Sequence, residues 1–180
     1  MKLDPELLAV FGFLQKHPAV RTRLVAPPDK TVVYSGGAQT TSGLHAGWRL
    51  LAHAKAKEPQ RFDYVTVEER LRQFHVVELG ESLFEHANRV SDSLKGRGLE
   101  DQALILWRAL SGIYVQGARG KVRALILPGA AIGSSVFALT EVSVLLRSDV
   151  LQQIQIDPAL LREFRVSVKA GNRPAPIVVM

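Results

Sequence analysis

The chain has 180 residues, enough to bury one core and too few for two independent ones, so a single domain over 1–180 is expected. Apolar residues make up 47% and charged residues 22%, which excludes a disordered chain, and the absence of cysteine excludes a disulfide framework or a thiolate zinc site. Net charge is +6, from 23 Lys and Arg against 17 Asp and Glu, and the basic residues fall in scattered pairs such as Arg70 with Arg72, the pattern of a solvated surface.

The opening MKLDPELLAVFGFLQKHP is too acidic at its start for a signal peptide or membrane span, so action in a cytoplasm is expected. Asp4 followed by Pro5 starts a helix, Leu7, Leu8, Phe11 and Leu14 recur at helical spacing, and His17-Pro18 stops it. Residues 1–25 thus form an amino-terminal helical extension. After the turn signal Ala26-Pro27-Pro28-Asp29, the β-branched run Thr31 to Tyr34 predicts a buried strand ending at Ser35-Gly36-Gly37.

Helical patterns follow from Gly43 to Lys57, Thr66 to Phe74, Glu81 to Lys95 and Leu99 to Gln116. Beyond Gly120 the texture becomes strand-like at Val122 to Leu127, Val136 to Leu139, Arg165 to Val168 and Ile177 to Val179. Ser93 to Leu99 and Leu127 to Ser135 have loop composition. The expected fold is α/β, with a helical amino-terminal subdomain packed against a small carboxy-terminal sheet and a site in the cleft between them.

Several chemistries lack their signatures. No HExxH occurs, and the five histidines show no metal-ligand spacing. Ser35-Gly36-Gly37 follows a strand and precedes an expected helix, as a phosphate loop would, but has neither GxGxxG nor the Walker lysine. A GxSxG elbow and the kinase signatures are also absent. What remains is Trp107 and Ser111, one helical turn apart on LILWRALSGIYV, and Glu141, an acid ending the apolar run SSVFALTEV. An aromatic plane beside a hydroxyl suits a nucleoside, and a carboxylate among apolar residues needs a partner or a purpose.

With TVVYSGG, TVEERLRQF, LWRALSGIYVQGARGKVRALIL and SSVFALTEVSVLLRSDVLQQI in this order, the region 30–156 resembles the ADP-ribosyl cyclase family, in its bacterial NAD-cleaving toxin-domain version. The first block resembles the family's strand ending in an aromatic residue and Ser, here Tyr34 and Ser35. The second resembles its Thr-Leu-Glu-Asp motif, with Glu68 in the acidic position and Glu69 in place of the Asp. The third matches its Trp-x-x-x-Ser helix through Trp107 and Ser111, and the fourth its catalytic Glu followed by Leu and Val, here Glu141, Leu145 and Val150. The chain departs from the family's animal members in having no cysteine and in having Gly36 where they carry an Arg, which leaves Arg119, Lys121, Ser134 and Ser135 to meet a diphosphate.

The resemblance implies an enzyme, an NAD glycohydrolase or ADP-ribosyl cyclase that releases nicotinamide from NAD or NADP to give ADP-ribose or cyclic ADP-ribose. NAD is the substrate and no cofactor is needed. Glu141 and Ser111 would be catalytic, Glu141 ionised and stabilising an oxocarbenium-like ribose. Trp107, Tyr34, Ser35, Glu68, Ser135 and Phe137 would bind substrate. The toxin-domain version further implies an interbacterial toxin, delivered into a target cell and paired with a cognate immunity protein. Two other classes remain open: an RNA-cleaving toxin using His45, His53 or His86, the first two sharing a face of the expected helix, and a non-catalytic nucleotide-binding module.

Overall fold

A computed structural model of the protein describes residues 2–35, 37–40, 43–46, 52, 55–76, 80–126, 136 and 140–156. The fold is mixed α/β and helix-rich, with a small parallel sheet. Helix α1 (Pro5–Lys16) starts on the Asp4 cap that the sequence predicts, its carboxylate accepting from the Glu6 amide, and turns Leu7, Val10 and Leu14 inward. Helix α2 (Ala19–Leu24) adds Val20 and Leu24. Both helices belong to the common core, and Asp4 ties α1 to the rest through Arg97 and Gln102.

Strand β1 (Thr31–Ser35) is followed by β2 (Gly37–Thr40) and β3 (Gly43–Ala46), an antiparallel pair in which Gly37 faces Ala46. This corrects the helix expected from Gly43. Glycines at 37 and 43 and the β-branched Thr40 and Thr41 oppose helix formation more strongly than the spacing of Leu44 and Trp48 favours it. His45 therefore stands on a strand rather than sharing a helical face with His53, and Ser35-Gly36-Gly37 leads into a hairpin, which removes the strand–loop–helix geometry of a phosphate loop. Ala52 and residues 55–57 are helical, as expected for the end of that segment.

Helix α3 (Val67–Gln73) opens on a capping box in which Thr66 accepts from the Glu69 amide and Glu69 accepts from the Thr66 amide. A two-residue pair, β4 (His75–Val76) and β5 (Glu81–Ser82), precedes helix α4 (Leu83–Gly96), which opens on a second capping box, Ser82 with Glu85. Helix α4 runs through most of the segment expected to be a loop at 93–99, and Gly98, with a positive φ of 73°, makes the short connection to α5 (Glu100–Gln116). Leu83, Ala87, Val90 and Leu94 of α4 meet Leu106, Leu110 and Tyr114 of α5 in the core. Each such fully buried leucine contributes about 1.5–3 kcal/mol.

The sheet has the order β1, β6 (Gly120–Ile126), β7 (Ile154–Ile156), all parallel. It corrects the expectation of helices first and strands later, because one edge comes from residue 31 and the other from residue 156. Between β6 and β7 lie the short helices α6 (Val142–Leu145) and α7 (Ser148–Leu151). Val136, expected in a strand, is helical; short apolar runs carry no periodicity that separates the two states. The predicted strands at 165–168 and 177–179 and the predicted loop at 127–135 lie outside the described residues. Alternation along the sheet divides its faces. Val33, Val122 and Ala124 pack into the main core, while Val32 and Tyr34 join Phe62 and Tyr64 in a second cluster on the other side.

Gly120 closes the near end of this sheet. Its φ is 68°, and a Cβ there would come within 2.3 Å of the Asp29 carboxylate, which accepts from the Lys121 amide at 2.7 Å. Asp29, itself at φ 65°, donates its amide to the Arg119 carbonyl at 2.9 Å, so the entries to β1 and β6 are locked to each other. Among the described residues no helix is long and apolar enough to cross a membrane.

Candidate active site

Two carboxyls from distant parts of the chain, Glu68 and Glu141, are buried in one neighbourhood, 7% and 5% exposed. Glu68 is fixed by the Thr66 cap, which starts α3 and sets Glu68 in its first turn. The Tyr34 hydroxyl, from the carboxyl end of β1, donates to Glu68 Oε1. Ligands in open parallel sheets gather at such strand ends. Glu68 Oε2 is buried with no hydrogen-bond partner, an unusual state for a carboxylate oxygen.

Glu141 is held by helix α5. Ser111 is the hydroxyl neighbour of its carboxyl on that helix, and its hydrogen-bonding influence works to lower the carboxyl's pKa. One turn earlier, Arg108 Nε donates to Thr140 Oγ1 at 2.9 Å, and Gly112 leaves room for the Thr140 methyl, which a Cβ there would meet at 3.4 Å. Thr140 and Glu141 form a π-helical turn, a distortion common at functional sites. Glu141 stands at the cap position of α6 but makes no side-chain cap, so helix capping does not explain it.

The same helix α5 registers the Glu68 side. The Tyr114 ring is fully buried, and its hydroxyl accepts from the Val32 amide at 3.2 Å and donates to the Val65 carbonyl. Val65 bridges to Thr31 and donates its amide to the Lys30 carbonyl at 2.8 Å. Tyr114 thus closes the edge of β1 away from β6 and ties that edge to the residues leading into Glu68.

Burial, and then the neighbouring Glu68 charge, pushes the Glu141 carboxyl up to about 8, against the opposing hydrogen bond from Ser111. Burial also raises Glu68, with the Tyr34 hydroxyl working against it. Tyr34 is driven well above its ordinary range by burial and by the two acids, and stays protonated as a donor. Near neutral pH the pair retains a proton. A cation entering between the acids would displace it, and a positive charge developing there would be stabilised.

Of the residues singled out from sequence, Glu141, Ser111, Glu68 and Tyr34 converge. Trp107 packs toward α4, its indole N–H donating to Ser91 Oγ at 3.1 Å and its ring 6.2 Å from that of Phe84. Ser35 ends β1, and its side chain is outside the described residues, as are Ser134, Ser135, Phe137 and His53. Glu69 serves the capping box and pairs with Lys55 at 2.6 Å. The Arg119 guanidinium donates to the Ala118 carbonyl at 2.7 Å near the end of α5. His86 sits 3.0 Å from Glu81, which also pairs with Arg89. Among the described residues no group of three or more His, Asp or Glu is placed to hold a metal. Tyr114 and Arg108 escaped sequence reasoning, although Tyr114 lies three residues after Ser111, close enough to share a helical face.

The fold and site define a mixed α/β domain with a buried carboxyl pair beside a short parallel sheet. No family model matches the chain, and neither does any curated protein or solved structure.

Proposed function

We propose that the protein cleaves the nicotinamide–ribose bond of NAD or NADP, as a glycohydrolase or ADP-ribosyl cyclase. The observation that carries this reading is the convergence of Glu68 and Glu141 with Tyr34 and Ser111, one buried carboxylate oxygen being left without a partner. The leaving group of NAD is a pyridinium cation, and its departure leaves positive charge on the ribose. A low-dielectric site with two acids suits both states.

In this mechanism the substrate's positive charge favours loss of the Glu141 proton, and the resulting carboxylate stabilises the oxocarbenium-like ribose. Ser111 orients that carboxylate. Tyr34 holds Glu68 through Oε1, leaving Oε2 to accept from the carboxamide or a ribose hydroxyl. Trp107 anchors α5 to α4 and so positions Ser111. Water capture gives ADP-ribose, and attack by the adenine ring gives the cyclic product. Depletion of NAD would make such a protein a toxin in a bacterial cytoplasm, with an immunity protein as its partner.

The test is incubation of the purified protein with NAD and NADP, with nicotinamide, ADP-ribose and cyclic ADP-ribose separated by chromatography, beside Glu141→Gln. Turnover that falls at least a hundredfold in the variant is the expected result. Absence of nicotinamide release by folded wild-type protein refutes the reading.

A further inference from the structure

Purely parallel sheets are ordinarily covered on both faces, and their central strands are apolar. Here the central strand β6 turns Val122 and Ala124 into the core and presents Lys121 and Arg123, both exposed, on the opposite face. In register, Arg123 faces Val32, which shares its apolar cluster with Tyr34, Tyr64 and Phe62. The Arg123 guanidinium lies 5.5 Å from the centre of the Tyr64 ring, and Arg61 lies 5.4 Å from that of Phe62. Lys30 pairs with the exposed Asp63, whose carboxyl is held below the usual range first by Lys30 and then also by Arg123 and Lys55. Lys30 and Arg61 are taken up by Asp63 and Glu58, while Arg123 donates Nη1 to the Asp63 carbonyl at 3.5 Å and forms no ion pair among the described residues, so Arg123 and Lys121 leave this face with a net positive charge.

The face is continuous with the carboxyl site through Tyr34, whose ring belongs to this cluster while its hydroxyl reaches Glu68. Two residues along a strand and one strand across separate Tyr34 from Arg123, roughly 8 Å between backbones. A ribose with its 5′-phosphate covers such a step. The acids favour the cationic end of a ligand and the arginine face an anionic end, a division of charge that a pyridinium dinucleotide carries.

We propose that the outward face of the sheet, with Arg123 as its principal donor and Lys121 beside it, is a phosphoryl-binding subsite for the diphosphate of the dinucleotide; it extends the NAD-cleaving site proposed above and rests on that proposal. Arg123 offers a planar fork to phosphate oxygens, and the half-buried Phe62 offers an apolar border.

The experiment uses ADP as the probe, so that binding is read without turnover. Calorimetry would compare the wild-type protein, Arg123→Gln and Arg123→Lys, with circular dichroism to establish that each is folded. The expected result is ADP binding that weakens at least tenfold in Arg123→Gln, recovers in part in Arg123→Lys, and falls with added salt. Failure of the wild type to bind ADP, or equal affinity in a folded Arg123→Gln, overturns the subsite. Nicotinamide release from NAD by the same preparations judges the cleavage reading separately: ADP binding that depends on Arg123 without any release keeps the subsite and removes the reaction, and release with ADP binding indifferent to Arg123 does the reverse.

Discussion

Replacing Glu141 by Gln removes an ionisable group while keeping its shape and an oxygen for the Ser111 hydroxyl. The wild-type carboxyl rises from an ordinary value of 4.5 to about 8 in the folded protein, chiefly through burial. Between these values the folded chain holds a proton that the unfolded chain has released, so stability is fully present below the unfolded value and is lost as pH rises through the folded one. One pKa unit corresponds to about 1.4 kcal/mol, which gives a loss of about 4 kcal/mol from this group between about pH 5 and pH 9. Urea unfolding of both proteins at the two pH values measures it. The variant should lie close to wild type in acid and gain on it by about 4 kcal/mol in alkali; a difference that is the same at both pH values refutes a buried, proton-retaining Glu141.

The catalytic proposal carries its own pH dependence: kcat/KM for NAD should rise as the free protein loses the Glu141 proton and level off above about 8, as a pH-rate profile would show. Tyr114→Phe leaves the Val32 amide and the Val65 carbonyl without their partner, at a cost of about 2–4 kcal/mol in chemical denaturation, and loosens the approach to Glu68 enough to lower turnover as well. Gly120→Ala forces a side chain into positive φ and against the Asp29 carboxylate, and should destabilise by about 1–3 kcal/mol, read as a lower thermal midpoint, without altering the pH dependence of the site.

Helices with explicit start and stop signals were legible in the sequence. Asp4-Pro5 and His17-Pro18 bracket α1 closely, and the long periodic run at 99–116 is α5 to within a residue. The hairpin at 37–46 was not, because its strands are four residues each and Leu44 and Trp48 imitate helical spacing when read alone. Strand β7 has three residues, and its pairing with β6 depends on a crossover that local pattern does not encode. For the candidate site, residue types and spacing pointed to Ser111 and Glu141, the family resemblance added Glu68 and Tyr34, and the structure brings these four near one another. What stayed hidden was how they are gathered: Tyr114 acts through the backbone of residues far from it in sequence, and Arg123 matters through the face of the sheet it occupies.

Helix α5 offers Ser111 to one acid and Tyr114 to the strand edge that leads to the other, so neither half of the carboxyl pair is registered without it. On a ribosome the nascent chain would contain β1, α3 and α5 long before Glu141 emerged, so the carboxyl pair could not assemble until the last of these parts had left the tunnel. The raised carboxyl pair and the native structure would then appear together, and any treatment that undocks this one helix should abolish both at the same midpoint.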